Sequence, residues 1–220
     1  MQEAHEYAKA RGVVLKGDIP IGVNRCGCDV WHEPQYFNLN AQAGAPPDAF
    51  SVNGQNWGLP TYNWQRMIDD GCQWWIRRFQ NMAKYFDAYR IDHVLGFFRI
   101  WAIPITCVHG LLGQFAPALG MSREEIEGYG LHFQEQLFTT PFIARWVVDR
   151  VFREHAQEVI DTYLDHQHDD IYALKPQYDT ERKIEAAFKD KNSDVDIWIR
   201  DGLYALASDV LFVRDYNDPN

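Results

Sequence analysis

Apolar residues recur at helical spacing near the start of the chain (Ala4, Tyr7, Ala8, Ala10), stop at Gly12, and then run almost unbroken through residues 13–21. The first pattern predicts a helix, and it begins with no capping residue before it, as if in mid-stride. The second predicts a strand buried on both faces, as in a parallel sheet, with Lys16, Gly17, Asp18 and Pro20 gathered toward its C-terminal end. Residues 22–62 are rich in Gly, Pro, Asn and aromatics and hold no sustained period, which predicts a long loop. Its Trp31, Tyr36, Phe37, Phe50 and Trp57 argue against disorder, because disordered segments lack such rings.

From residue 64 to 86, Met67, Ile68, Trp74, Trp75, Phe79, Met82, Ala83 and Phe86 make a wide apolar stripe, and Asn63 stands where a helix cap belongs. Gly71 inside this stripe is unfavourable by about 1 kcal/mol relative to Ala and marks a kink or a new start near Asp70. A short β-prone run follows (Phe86, Ala88, Tyr89, Ile91). Strand, long loop, helix, strand is the βαβ grammar of a parallel sheet.

After Thr106 the period changes. Glycines at 110, 113, 120, 128 and 130 separate loosely amphipathic pieces, one of them opened by a Ser122–Glu125 capping box, and suggest a mobile, lid-like connection. Helices are then predicted from Thr140–Pro141 onward, at 156–164, at 180–188 and at 194–212, the last capped by Ser193 with Asp196 three on. The chain accordingly reads as two parts, 1–105 and 106–220.

Composition narrows the partners. At 46% apolar and 15% aromatic the 220 residues can bury a core, and 21 basic against 31 acidic residues give a net charge of −10. That charge repels nucleic-acid phosphates and anionic lipid, so neither nucleic acid nor a membrane is an expected partner. Eight Trp, eleven Tyr and thirteen Phe point instead to neutral ligands with apolar faces, such as sugars. Cysteines at 26, 28, 72 and 107 read as free thiols in a reducing cytoplasm. No signal-like start and no apolar run of about 18 residues occurs. His166, His168, Asp169 and Asp170 read as a solvated loop rather than a metal site, and no cofactor is expected.

The chemistry concentrates at Arg90, Asp92 and His93. On a strand, residues two apart share a face, and a cation beside a carboxylate keeps it ionised at neutral pH. Such an aspartate can attack an electrophile; the pair also reads as a structural ion bridge at a strand end. Asp18 is a candidate sugar-binding carboxylate or, alternatively, a turn-forming residue before Ile-Pro. Gln55, Asn56 and Trp57 supply the amide donors and acceptors and the flat ring that sugar recognition needs. Trp57 equally reads as a core ring beneath the loop.

Arg90-Ile91-Asp92-His93 followed by Gly96-Phe97, with Gly17-Asp18-Ile19-Pro20-Ile21-Gly22 and Gly54-Gln55-Asn56-Trp57-Gly58-Leu59-Pro60 upstream, resembles the amylomaltases, the 4-α-glucanotransferases of glycoside hydrolase family 77. The resemblance implies an α/β fold, part of a (β/α)8 TIM barrel, with a mostly helical insertion. It implies Asp92 as catalytic nucleophile in a retaining reaction, and Asp18, Asp48, Gln55, Asn56, Trp57, Arg90 and His93 at the substrate. The ligand would be maltose, a maltodextrin or another α-glucan. Ala49 and Asn56 depart from the family, where an aromatic and a basic residue are common.

The family's acid/base glutamate, in an apolar-Gly-Glu-Asp-Leu-Gly context, and its Thr-His-Asp motif are absent between 93 and 220. Residues 113–219, closing on Val213-Arg214-Asp215-Tyr216-Asn217-Asp218-Pro219, resemble the larger insertion of the plant cytosolic disproportionating-enzyme type. These features imply an internal fragment of a larger catalytic domain, inactive alone and prone to self-association through open sheet edges. A non-catalytic glucan- or protein-binding module is the alternative.

Overall fold

A computed structural model describes residues 1–215 of this mixed α/β protein. Residues 216–219 of the closing motif lie outside the described residues. The chain divides into two compact units, one formed by Met1–Ala45 with Asn56–Ala102, the other by Pro46–Gln55 with the chain from Ile103 onward.

In the first unit the helix Gln2–Lys9 is followed by Gly12, whose φ of +71° only glycine adopts without strain. His5 is buried; its Nε2 lies 2.9 Å from Asp87 Oδ1 and its Nδ1 3.2 Å from the Lys84 carbonyl. The other oxygen of Asp87 accepts the Leu15 N–H at 3.1 Å. These bonds tie the chain entering one strand to the chain entering another, and the two strands pair in parallel. Lys16–Ile19 runs beside Ala88–Ile91, with Asp18 opposite Arg90.

The first strand is shorter than residues 13–21 and is not covered on both faces. Gly17 and Ile19 are buried while Lys16 and Asp18 are exposed, which is the alternation of a sheet covered on one side. Val13 and Val14 precede it, 52% and 69% exposed. Gly17 is required there, since a Cβ would stand 2.6 Å from the Phe86 ring.

Residues 22–62 are also not a loop. They hold a short helix, Cys28–His32, and two strands, Phe37–Ala45 and Gln55–Tyr62, that neighbour each other in a sheet. The first alternates apolar with polar or glycine positions, but its Asn, Gly and Ala are weak strand formers, and Gly58 and Pro60 interrupt the second. Arg25 supports one strand from its side, donating to the carbonyls of Leu39 at 2.8 Å and Ala41 at 2.6 Å.

The long stripe forms two helices, Trp64–Asp69 and Gln73–Met82, parted where Gly71 and Cys72 take positive φ. Asn63 caps the first through Arg66 N–H. The stripe and the strands bury a core of Ile19, Ile21, Phe37, Met67, Trp74 and Trp75.

In the second unit Ile143–Ala144, Ile171–Leu174 and Leu164–His168 form an antiparallel sheet in that order. Four helices, Arg145–Phe152, Ala156–Tyr163, Glu181–Ala187 and Asp194–Ala207, share a core with it around Val148, Phe152, Val159, Ile184 and Leu203. Both capping boxes form, at Ser122–Glu125 and Ser193–Asp196. The helix expected from Pro141 starts at Arg145, because Ile143 and Ala144 pair with Tyr172 and Ile171 instead. His166 and His168 lie on a hairpin strand rather than a loop between helices. The last helix ends at Ala207, where the Ser208 hydroxyl bonds the Tyr204 and Ala205 carbonyls. Among the described residues no helix is long and apolar enough to cross a membrane.

A buried carboxylate, Glu181, joins two distant parts of this unit. Its Oε2 accepts the N–H groups of Val108 (2.6 Å) and His109 (2.8 Å), and its Oε1 lies 3.3 Å from His109 Nδ1. Burial pushes the Glu181 carboxyl up, but the bonds from His109 and Val108 outweigh it and hold the carboxyl below its usual value. The same bond raises His109. The His109 share of stability is therefore full below about pH 6.5 and lost as pH rises through its raised value. The Glu181 share is present above about pH 4.3 and lost as pH falls through its lowered value. Urea unfolding across pH should show maximal stability between those limits, and Glu181→Gln should cost about 1–3 kcal/mol and flatten that dependence. A flat wild-type profile would contradict the staple.

Gly202 lies against the fully buried ring of Phe152, so that a Cβ there would collide with it. Gly202→Ala should destabilise by about 1–3 kcal/mol although alanine favours a helix by about 1 kcal/mol. Equal or greater stability in urea would disprove this contact.

Candidate active site

The parallel strand pair delivers its polar residues at the C-terminal ends of both strands. Arg90 bonds Asp18 through two parallel contacts, Nε to Oδ1 at 3.0 Å and Nη2 to Oδ2 at 2.6 Å. The fork fits a carboxylate, and the strand register that sets Asp18 opposite Arg90 supplies the alignment. Nη2 also reaches Asp92 Oδ1 at 3.5 Å, so one guanidinium serves two carboxylates, tightly and loosely. All three side chains are more than half exposed. Solvent therefore screens the pairs, and their role lies in geometry more than in stability.

The bidentate bond to Arg90 holds the Asp18 carboxyl below the usual carboxylate range. It stays ionised at neutral pH and has no proton to donate. Asp92 is held differently. Its backbone N–H donates to the Ile19 carbonyl at 3.0 Å, which fixes the main chain one residue past the strand. Its carboxylate is 53% exposed. A carboxylate with a fixed backbone, one loose cationic contact and open access is positioned to attack a carbon brought against it.

His93 follows with φ +45°, a left-handed conformation uncommon for a residue with a side chain. That turn sets its ring edge-on to Trp57, centroids 5.0 Å apart at 83°. Gly96 makes room for it, since a Cβ at 96 would stand 2.9 Å from His93 Cδ2 and 3.0 Å from Ile21 Cγ1. Trp57 is half-buried and packs on the core of the first unit. The ring thus packs in part against the core while another part remains accessible.

The first unit thus contains Asp18, Asn56, Trp57, Arg90, Asp92 and His93, while Asp48 and Gln55 belong to the second. Asp48 Oδ1 accepts the N–H groups of Phe50 (2.8 Å) and Ser51 (2.7 Å), the bonding of a turn-forming aspartate. Asn56 Oδ1 accepts the Gly58 N–H at 2.9 Å, so this side chain bonds within its own strand. Gly96 and the Ile19 carbonyl are parts of the arrangement to which sequence reasoning assigned no role. Gly96 stood within the quoted motif, but the crowding that demands a glycine is a long-range contact.

Comparison with known proteins gives consistent matches. A family model described as 4-alpha-glucanotransferase matches residues 1–203. The chain is 41% identical over 224 residues to 4-alpha-glucanotransferase DPE2 of Oryza sativa subsp. japonica, a match covering 99% of this chain and 24% of that protein. It is 42% identical over 99 residues to the 4-alpha-glucanotransferase of Chlamydia pneumoniae, covering 45% of this chain and 19% of that one. Among solved structures, an amylomaltase from Streptococcus agalactiae in complex with acarbose aligns with a TM-score of 0.50 at 25% identity, over 93% of this chain and 48% of that chain. The chain therefore spans about a quarter of the length of its rice relative.

Carbon-detected NMR titration should find the Asp18 carboxyl midpoint below that of an ordinary aspartate, and Arg90→Gln should return it toward the ordinary value. An unchanged midpoint in that variant would show that the guanidinium is not the cause.

Proposed function

The chain belongs to the 4-alpha-glucanotransferase family, and from that membership we propose that it is the nucleophile-bearing portion of an enzyme transferring α-1,4-glucosyl or longer glucan units. The donor is maltose or a maltodextrin, and the acceptor another glucan. The single observation that carries the assignment is the half-exposed carboxylate of Asp92 at the C-terminal end of a parallel strand, its backbone pinned by Ile19.

The chemistry is a double displacement. An Asp92 oxygen attacks C1 of the donor, and the C1–O bond to the leaving glucan breaks as a carboxylic acid protonates the departing oxygen. The acceptor hydroxyl then gives its proton to that same carboxylate and attacks C1, freeing Asp92; two inversions retain the anomeric configuration. Arg90 aims Asp92. Asp18 and His93 accept or donate hydrogen bonds at the sugar hydroxyls, and the Trp57 ring lies against a pyranose face. Asp18 is unsuited to be the acid, since Arg90 keeps it ionised.

The two parallel strands are read as neighbouring strands of a (β/α)8 barrel, in which catalytic groups gather at C-terminal strand ends. The helical unit is read as the insertion of the plant type, a reading supported by the match to the rice protein along 99% of the chain against 45% for the chlamydial one. Four free cysteines suit a reducing cytoplasm. No acid/base motif occurs in these 220 residues, so the proposal includes that this chain alone does not turn over.

The test places this chain in the rice enzyme, replacing the segment it matches. Transfer from maltose should be retained, and Asp92→Asn should lower it about 10⁴-fold or more. A chimera still active with asparagine at 92 would remove the nucleophile from this position. Appreciable glucose release from maltose by the 220-residue chain itself would overturn its inactivity.

A further inference from the structure

The helical unit contains a cavity of about 520 Å³ that shares no residue with the cluster around Asp92. Its size falls within the range of small-molecule sites, about 300–1,000 Å³. The walls hold charges of both signs, His109, Lys189 and Arg200 with Glu181, Glu185 and Asp201. Such a balance provides little net field to draw in a phosphate or a bare cation. Several of these charges are also engaged with one another. Glu181 holds His109 and two backbone N–H groups, and Arg200 donates Nε and Nη2 to Asp201 Oδ1 at 3.0 and 2.8 Å.

The uncharged lining has a different character. The amides of Asn53 and Asn192 combine donors with acceptors, and the Ser208 hydroxyl, donating within its own helix, keeps acceptor lone pairs. Phe188 and Tyr204, both largely buried, complete the lining with apolar ring atoms, Tyr204 fixed edge-on to the His109 ring at 5.1 Å. Paired donors and acceptors beside rings complement a ligand that carries hydroxyls around apolar C–H faces.

We propose that this cavity binds a short neutral carbohydrate, a second sugar site in the helical unit. The choice of a sugar over other neutral ligands rests on the glucan chemistry proposed above; the cavity, its balanced charge and its amides do not. Binding here supplies contact with a glucan without any bond being made or broken.

Maltotriose is the probe, titrated into the 220-residue chain and followed by backbone-amide NMR and calorimetry. Saturable shifts are expected at Asn192, Ala205 and Ser208. Ala205 occupies an exposed position on its helix and lines the cavity, so Ala205→Trp should fill the space and weaken this site about tenfold or more. Asn192→Ala, also at an exposed position, should weaken it about fivefold, and it decides the matter should the tryptophan variant fail to fold. Asp92→Asn and Trp57→Ala should leave these three shifts in place. Absence of the shifts, or their persistence unweakened in the folded Ala205→Trp and Asn192→Ala variants, would overturn the second site. Shifts near Trp57 and His93 report separately on the proposed transfer site, so either reading can fail while the other stands.

Discussion

The forked bond between Arg90 and Asp18 is the constraint on which the arrangement of the first unit depends. It joins the polar ends of two strands whose sequence positions are 72 residues apart, and it does so with both side chains more than half exposed, where an ion pair adds little to stability. Its value is positional. With the guanidinium anchored on Asp18, the remaining reach toward Asp92 is long and weak, and the second carboxylate keeps its access to solvent. The supporting contacts work toward the same end: Asp87 and His5 secure the strand entrances, Gly17 lets Phe86 approach, and Gly96 yields space to His93.

The second unit is held by different means. A core of fully buried aliphatic residues and Phe152 joins four helices to a small antiparallel sheet, and one buried glutamate binds the chain after Thr106 to the start of a helix more than seventy residues later. The first unit places charge at its surface and arranges it; the second buries a carboxylate and satisfies it with backbone donors. Burial is tolerated only because those donors are present.

Much of this was legible in the residues themselves. Capping signals are local, so Asn63, Ser122 and Ser193 announced their helices, and the glycine at 71 marked the break between two of them. The parallel pairing followed from the order of elements. Family motifs then drew attention to Asp18, Arg90, Asp92 and His93, which the fold gathers in one unit. What escaped reading was non-local or weakly encoded. Phe37–Ala45 alternates apolar with polar or glycine positions but is built largely of Asn, Gly and Ala, which are depleted in strands, and Gly58 and Pro60 interrupt Gln55–Tyr62, so both looked like loop. Val13 and Val14 read as buried by type alone, and only the pairing register shows where the strand begins. Asp48 has its carboxylate engaged in a turn that its sequence neighbours also permit, and nothing local distinguishes that use from ligand contact. The bond of Glu181 to His109 spans 72 positions and has no local signature.

Among the described residues, Ala88–Ile91 is hydrogen-bonded to a neighbour on one flank, and all four of its side chains are exposed. Its other flank presents a row of main-chain donors and acceptors to whatever meets it. Main-chain groups on that flank that pair with no strand are hydrated instead, and each keeps the capacity to bond a strand laid beside it.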